Sequence, residues 1–186
     1  MSTQLPPQAQ MVFKGQIFET WQWEQQLYDG STAVFERLKR TNTAEVIAVV
    51  GDKICVQRQE QPGYGEFLSL PGGRCDAGEE LLPAAKRELL EETGYASNNW
   101  ELFKEYQPYS KIIWTIGVFI AHNCAFAQEP QLDGGEKITN QLLTFDEFLQ
   151  LPDEPAFRNM ALVTDLLRAR YENQKREALR ALLFSI

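Results

Sequence analysis

Apolar and polar residues alternate along the first quarter of the chain. The run IFETWQWEQQLY (residues 17–28) and the run STAVFERLKR (residues 31–40) both alternate, and the DG dipeptide between them is typical of a tight turn. We therefore predict an antiparallel β unit within residues 11–43. The preceding residues 1–10 are polar, contain proline and show no periodic pattern, so they are expected to be disordered.

The middle of the chain carries further strand patterns. Residues 44–50 form a near-continuous apolar run, and the GDK turn that follows joins them to residues 54–59. This arrangement predicts a hairpin that enters the core. Apolar and aromatic runs at residues 67–70, 101–106 and 111–123 predict more strands.

Capping residues and helical spacing indicate where helices lie. A first helix is predicted to begin near Pro83, which suits a first helical turn, and to end at Gly94, which suits the left-handed position after a helix. Thr144 and Glu147 have the spacing of a capping box. From Pro155 onward the apolar residues recur at helical spacing and predict one long terminal helix.

Composition narrows the class of protein. The 186 residues, of which 44% are apolar, suffice for one well-cored domain, which we assign to residues 44–186. The sequence shows no run long enough to cross a bilayer and no basic-then-apolar leader, so a cytoplasmic protein is expected. The three cysteines lack metal-site spacing and are expected to be isolated buried thiols. The net charge of −8 disfavours nucleic acid and anionic membranes as partners.

A charged stretch, LPGGRCDAGEELLPAAKRELLEETGY (residues 70–95), interrupts the apolar pattern. Glu88, Glu91 and Glu92 stand at helical positions i, i+3 and i+4, so their three like charges share one helix face. Such a cluster is commonly a solvated acidic surface. It is also suited to a hard divalent cation, because Mg²⁺ prefers oxygen ligands and keeps positions free for water and phosphate.

The whole pattern decides between these alternatives. A glycine at 73, a glutamate at 79, the pair Arg87-Glu88, the pair Glu91-Glu92 and a glycine at 94 followed by a bulky residue match every fixed position of GX5EX7REUXEEXGU. Seven fixed identities at this spacing arise by chance at roughly 10⁻⁹ per starting position. The stretch is similar to the Nudix box, and the chain resembles the Nudix hydrolase superfamily.

This resemblance implies a fold and a set of site residues. The fold would be α/β, the Nudix fold, with a mixed β-sheet sandwiched between helices, an N-terminal antiparallel β extension and a long C-terminal helix. The cofactor would be Mg²⁺ or Mn²⁺. The implied roles are metal ligation by Glu88, Glu92 and the carbonyl of Gly72, ligation or proton acceptance by Glu91, a supporting ion pair between Glu79 and Arg87, and backbone support at Gly73 and Gly94.

Features outside the box resemble the branch of the superfamily that acts on ADP-ribose and other nucleoside diphosphate sugars. These features are the N-terminal β unit, the YQPYS segment with Pro108 and Ser110, and the late acidic loop LDGGEKI with Glu136. The resemblance implies a small nucleotide-sugar substrate and a homodimer. Glu136 would be a metal ligand or the general base, with Glu91 as the alternative base.

Other residues could contact the substrate. Trp21 and Trp23 share one strand face, where they either pack in a core or dimer interface or stack on a base. Arg58 is either a phosphate contact or a surface charge. His122, the single histidine, is expected to be structural, since this mechanism requires no imidazole.

Three functions remain open at this point. The first is metal-dependent hydrolysis of a nucleoside diphosphate sugar to a nucleoside monophosphate and a sugar phosphate. The second is hydrolysis of a nucleoside triphosphate or a dinucleotide polyphosphate. The third is a non-enzymatic sensor of ADP-ribose, which the intact box disfavours.

Overall fold

A computed structural model describes residues 4–184 of the chain. The strands are β1 (Gln10–Lys14), β2 (Glu19–Gln26), β3 (Thr32–Lys39), β4 (Thr43–Val50), β5 (Lys53–Gln61), β6 (Tyr64–Ser69), β7 (Gly72–Arg74), β8 (Tyr95–Ala96), β9 (Asn99–Tyr106), β10 (Ile112–Ile113), β11 (Ile116–His122), β12 (Ala125–Phe126) and β13 (Lys137–Thr144). The α-helices are α1 (Leu81–Thr93), α2 (Phe145–Phe148), α3 (Met160–Tyr171) and α4 (Asn173–Phe184).

The N-terminal strands form a sheet of their own, in the order β1-β2-β3-β10. β2 and β3 pair antiparallel through the predicted turn, in which Gly30 has a φ of 87°. The predicted antiparallel unit is therefore confirmed, with β1 added at its edge. Of the residues expected to be disordered, 1–3 lie outside the described part of the chain, and the amide of Ala9 donates to the carbonyl of Pro6 just before β1.

The prediction of one strand over residues 111–123 is wrong. β10 pairs parallel with β3 in the N-terminal sheet, whereas β11 pairs parallel with β4 in the larger sheet. Between them, Trp114 Nε1 donates to Thr43 Oγ1 at 3.0 Å and the amide of Thr115 donates to Asn42 Oδ1 at 3.0 Å. These side-chain contacts, distant in sequence, bend the run and divide it between two sheets.

The larger sheet has the order β13-β5-β4-β11-β9, with β6 beside β5 and β7 beside β4. β4 is central and buried on both faces, which explains its continuous apolar sequence. Val46 and Ala48 pack towards α1, and Ile47 and Val49 pack towards α3 and α4. The predicted α/β arrangement, a mixed sheet between helices, is confirmed.

The predicted C-terminal end of the first helix and the predicted capping box are confirmed, whereas the predicted length of the terminal helix is wrong. α1 begins at Leu81, two residues before Pro83, and ends as predicted at Gly94, whose φ is 72°. The capping box of Thr144 and Glu147 is present. The single long terminal helix is wrong, because Glu172 adopts an extended conformation (φ −117°, ψ 107°) between α3 and α4 and both helices pack against the core.

Two further predictions concern the cysteines and the absence of membrane-spanning segments. Cys55, Cys75 and Cys124 are free and buried, as predicted. Within residues 4–184, none of the helices combines the length and the apolar character that a bilayer crossing requires.

Candidate active site

The acidic face of α1 forms one wall of a cavity of about 860 Å³. Glu88, Glu91 and Glu92 line this cavity together with Glu136, which approaches from the loop before β13. The chain segments around them add Gln16, Ile17, Thr41, Gln59, Gln61, Pro62, Tyr64, Gly72, Gly73, Arg74, Cys75, Asp76, Ala77, Arg87, Gln131, Asp133 and Gly135. Three glutamates of one helix and a fourth from a distant loop therefore face the same cavity.

Two adjacent glycines bring the backbone against these glutamates. Gly72 has a φ of 145°, and a Cβ there would lie 2.2 Å from the carbonyl oxygen of Ala44. A Cβ on Gly73 would lie 2.5 Å from Oε1 of Glu88. Larger residues at either position would displace β4 or the Glu88 carboxylate, so both glycines are required by close approach.

Arg87 ties the loop before α1 to the helix. Its Nε donates to Glu79 Oε1 at 3.1 Å and its Nη2 donates to Glu79 Oε2 at 2.9 Å, a bidentate pair. Nη2 also donates to the carbonyl of Arg74 at 3.1 Å. On the other side, Nη1 donates to Glu88 at 2.9 Å and to Glu91 at 3.1 Å. This one guanidinium therefore partly neutralises three carboxylates.

Glu92 is the most deeply buried of the four glutamates, at 5% exposure. Burial raises the pKa of its carboxyl group to about 8, and the nearby charges of Glu88 and Glu136 act in the same direction. A hydrogen bond from the amide of Gly72 to Glu92 Oε2, 2.8 Å long, and a hydrogen-bond interaction with Gln57 oppose this shift. An ionised Glu92 thus lacks sufficient counter-charge within the protein.

Glu88 and Glu136 also lack sufficient counter-charge when they are ionised. Burial raises the pKa of Glu88, with Arg87 opposing the shift and Glu91 and Glu136 reinforcing it. Burial also raises the pKa of Glu136, and the Asp133 carboxylate adds to the effect. The cavity therefore concentrates carboxylates whose negative charge is unfavourable unless a cation joins them.

The donor set fits a hard divalent cation. Carboxylate oxygens and the carbonyl of Gly72 are the oxygen ligands that Mg²⁺ and Mn²⁺ prefer. In the described part of the chain no three Asp, Glu, His or Cys side chains are arranged so that they could hold a metal ion as they stand. Glu88 and Glu91 are hydrogen-bonded to Arg87, and Glu92 is hydrogen-bonded to Gly72. Metal binding would require these carboxylates to exchange such partners for the cation.

Sequence reasoning missed a row of glutamines behind Glu92. Gln57, Gln59 and Gln61 alternate along β5 and share the sheet face that meets α1. Gln57 is fully buried, Gln59 nearly so, and Gln59 and Gln61 line the cavity. The signal was present in VQRQEQ, where glutamine recurs with the period of a strand in a position that otherwise calls for apolar residues.

The predicted substrate contacts outside the box do not line the cavity of this chain. Trp23 packs against Phe35, and Trp21 Nε1 donates to Glu19 at 3.0 Å. Arg58 forms an exposed ion pair with Glu66. Pro108 and Ser110 lie in the loop between β9 and β10.

The turn between β1 and β2 reaches the cavity, whereas the single histidine at the end of β11 does not. Gln16 and Ile17, in the turn between β1 and β2, reach the cavity, so the N-terminal sheet contributes to the site of its own chain. His122 is buried at the end of β11, with Nε2 3.7 Å from a Glu101 carboxylate oxygen, and it does not line the cavity.

Comparisons with known proteins agree with this geometry. The model of the family described as NUDIX domain matches residues 39–163. An ADP-ribose pyrophosphatase of Bacillus subtilis (strain 168) is 26% identical over 146 residues, which are 76% of this chain and 79% of that protein. The ADP compounds hydrolase NudE of Escherichia coli (strain K12) is 28% identical over 100 residues, 52% of this chain and 54% of that protein. A crystal structure of an ADP compounds hydrolase, 20% identical, has the same fold, with a TM-score of 0.72 over 90% of this chain and 94% of that one.

Proposed function

This chain belongs to the NUDIX domain family and is a Nudix pyrophosphohydrolase, and from this premise we propose that its substrate is ADP-ribose or a related nucleoside diphosphate sugar. The reaction is hydrolysis of the diphosphate bond, with a nucleoside monophosphate and a sugar phosphate as products. It depends on Mg²⁺ or Mn²⁺. The names of the relatives in Bacillus subtilis and Escherichia coli support this substrate class.

One observation carries the proposal. Glu136, forty-four residues beyond Glu92, lies in the same cavity as the three glutamates of α1 and close enough for its charge to act on Glu88 and Glu92. A surface cluster of acidic residues would not be joined by a further, partly buried carboxylate from a distant loop. The convergence supports a metal site that opens onto a substrate cavity.

The chain's own groups have distinct tasks in this proposal. Glu88, Glu92 and the carbonyl of Gly72 would hold the metal, and Arg87 with Glu79 holds the loop in place. A divalent metal there would neutralise the diphosphate and increase the acidity of the attacking water. The proton of that water passes to a carboxylate within hydrogen-bond reach.

Glu136 is the carboxylate we assign as proton acceptor. Burial raises its pKa, which makes it a stronger base than an exposed glutamate. The turn that carries it is closed by a hydrogen bond from its amide to the carbonyl of Asp133 at 3.0 Å. Glu91 is the alternative acceptor, although its carboxylate is bound to Arg87.

A homodimer is the second part of the proposal. β1 is an edge strand whose Met11, Val12 and Phe13 are 46%, 54% and 62% exposed. An apolar edge strand of this kind invites pairing with another chain. In a dimer built on this sheet, the half-buried Trp21 would lie near the interface, whereas Trp23 is buried against Phe35 of its own chain.

The test is a hydrolysis screen with purified protein. ADP-ribose, ADP-glucose, GDP-mannose, a nucleoside triphosphate and a dinucleotide polyphosphate would be incubated with Mg²⁺, with Mn²⁺ and with chelator, and the products separated by ion-exchange chromatography. We expect a nucleoside monophosphate and a sugar phosphate from a nucleotide sugar, and no turnover with chelator. Fastest turnover of the triphosphate or the dinucleotide would refute the substrate class and leave the family assignment intact.

A further inference from the structure

Three amide side chains, the buried Gln57 and Gln59 and the half-buried Asn140, connect the cavity wall to Glu92. Gln59 Nε2 donates to Gln57 Oε1 at 2.7 Å. Gln57 Nε2 donates to Asn140 Oδ1 at 3.3 Å, and Asn140 Nδ2 donates to the backbone carbonyl of Glu92 at 3.0 Å. The Gln57 amide also interacts with the Glu92 carboxylate. These contacts form one directed chain from β5 through β13 to α1, which we call the amide relay.

The direction of each amide follows from its neighbour. An amide has one accepting oxygen and one donating nitrogen, so turning it round exchanges the two. Because Gln59 donates to the oxygen of Gln57, the nitrogen of Gln57 must point towards Glu92 and Asn140. If Gln57 were reversed, its carbonyl oxygen would face the Glu92 carboxylate and its NH₂ group would face the NH₂ group of Gln59.

Gln59 is itself held in one orientation. Its Nε2 donates both to Gln57 and to Ser69 Oγ, at 2.7 and 2.8 Å, so both of its N–H groups are directed away from the cavity. Gln57, Gln59 and Ser69 are all buried. Buried amides of this kind are retained only when their donors and acceptors are satisfied.

We propose that Gln59 is a positioning residue for the metal site. No described hydrogen bond joins it to Glu92, but it donates to the oxygen of Gln57, and Gln57 holds the Glu92 carboxylate ready to bind the cation. Hydrogen bonds that orient a metal ligand without contacting the metal commonly change metal affinity by about 10- to 100-fold when they are removed. The inference rests on the metal assignment made above and is independent of which nucleotide is the substrate.

The chain offers a matched control on the same strand. Gln61 has the same side chain, points to the same face of β5 and lines the same cavity, but no described side-chain hydrogen bond joins it to the relay. Gln59→Met and Gln61→Met remove the same polar group and keep a similar shape. Only the first change removes the hydrogen bond that Gln57 Oε1 accepts.

The experiment is a titration with Mn²⁺ followed by electron paramagnetic resonance, which counts free Mn²⁺ and needs no substrate. We expect Gln59→Met to weaken Mn²⁺ binding about 10-fold relative to the parent, and Gln61→Met to leave it within about twofold. Equal affinity in the two variants would overturn the positioning role. A parent protein that binds no Mn²⁺ would overturn both this inference and the metal assignment, whereas failure to hydrolyse nucleotide sugars would affect only the proposed substrate.

A measurement on the parent covers the case in which Gln59→Met does not fold. In protein labelled with ¹⁵N at the glutamine side chains, Mg²⁺ should shift the amide signals of Gln57 and Gln59, because both are connected to a metal ligand. Unchanged signals for both residues on saturation with Mg²⁺ would contradict the relay.

Discussion

Arg87 binds Glu79 through a planar two-point contact, with donor–acceptor distances of 3.1 and 2.9 Å. Lysine at position 87 would keep the positive charge and lose this fork. We expect Arg87→Lys to lower kcat/KM about 10-fold or more and to raise the Mg²⁺ concentration needed for half-maximal rate, because the loop between β7 and α1, which carries Glu79, would no longer be fixed. Steady-state kinetics over a range of Mg²⁺ concentrations provides the measurement.

Arg58→Lys is the matched control for this prediction. Arg58 pairs with Glu66 at the exposed surface, where an ion pair contributes little. The kcat/KM of Arg58→Lys should stay within about twofold of the parent value. If Arg87→Lys behaved like Arg58→Lys, the supporting role of Arg87 would be disproved.

Glu92→Gln should abolish most of the metal-dependent activity and stabilise the metal-free protein. Burial raises the pKa of Glu92 in the folded state to about 8, from the ordinary glutamate value of 4.5. A carboxyl with a raised pKa favours the folded state when it is protonated, so the folded protein loses stability as the pH rises from about 4.5 towards 8. Glutamine removes this penalty.

The pH dependence distinguishes this effect from ordinary repacking. In chelator, the melting temperature of Glu92→Gln should exceed that of the parent at pH 8, and the difference should shrink at pH 5. Each kcal/mol of stabilisation corresponds to about 2–4 °C for a chain of this size. A difference independent of pH would argue against a desolvated charge at Glu92.

Glu136→Gln tests the assignment of the proton acceptor. Glutamine keeps the shape of the side chain and removes its basicity, so a general base at this position predicts a kcat about 10²-fold lower with metal affinity barely changed. A ligand role predicts weaker metal binding and partial recovery at high Mg²⁺. Glu129→Gln, a neutralisation of an exposed residue that does not line the cavity, serves as the control, and parental kcat in Glu136→Gln would return the role to Glu91.

Val12→Glu should convert the proposed dimer into a monomer. Val12 lies on the edge strand β1 and is 54% exposed, so a charge there would be buried without a partner in a dimer built on that sheet. Light scattering at micromolar concentration measures the mass. Tyr28→Ser, at a fully exposed turn of the same sheet, is the control and should leave the mass unchanged. A parent protein that is monomeric and fully active would refute the dimer.

Local signals predicted the parts of this molecule that depend on neighbours in the chain. Gly94 ended α1 because a left-handed residue is needed there, and Thr144 with Glu147 began α2 through contacts three residues apart. The spacing of the α1 glutamates also predicted their common face. Val46 and its neighbours in β4 form a continuous apolar run, which predicted a buried strand because both faces of that strand are covered.

Long-range contacts account for what could not be predicted. The bend at Trp114 depends on Thr43, 71 residues earlier, and the amide relay depends on Asn140, 83 residues after Gln57. Arg58 is a more local case, since it pairs with Glu66 eight residues later on the adjacent strand β6 and lies outside the cavity, which favours the surface-charge alternative. The exclusion of Trp21 and Trp23 from the cavity likewise follows from how the two sheets are joined.

The way in which the two sheets are joined has a mechanical consequence. β4 follows β3 in the chain, and β11 follows β10. β3 pairs parallel with β10, and β4 pairs parallel with β11. Paired residues are 74 positions apart in β3–β10 and 73 apart in β4–β11, so the register changes by a single residue across the bend. Two chain segments therefore join the sheets in nearly unbroken register, and in the proposed dimer a displacement of the N-terminal sheet would reach β4, which pairs with Gly72 and Gly73 beside the cavity.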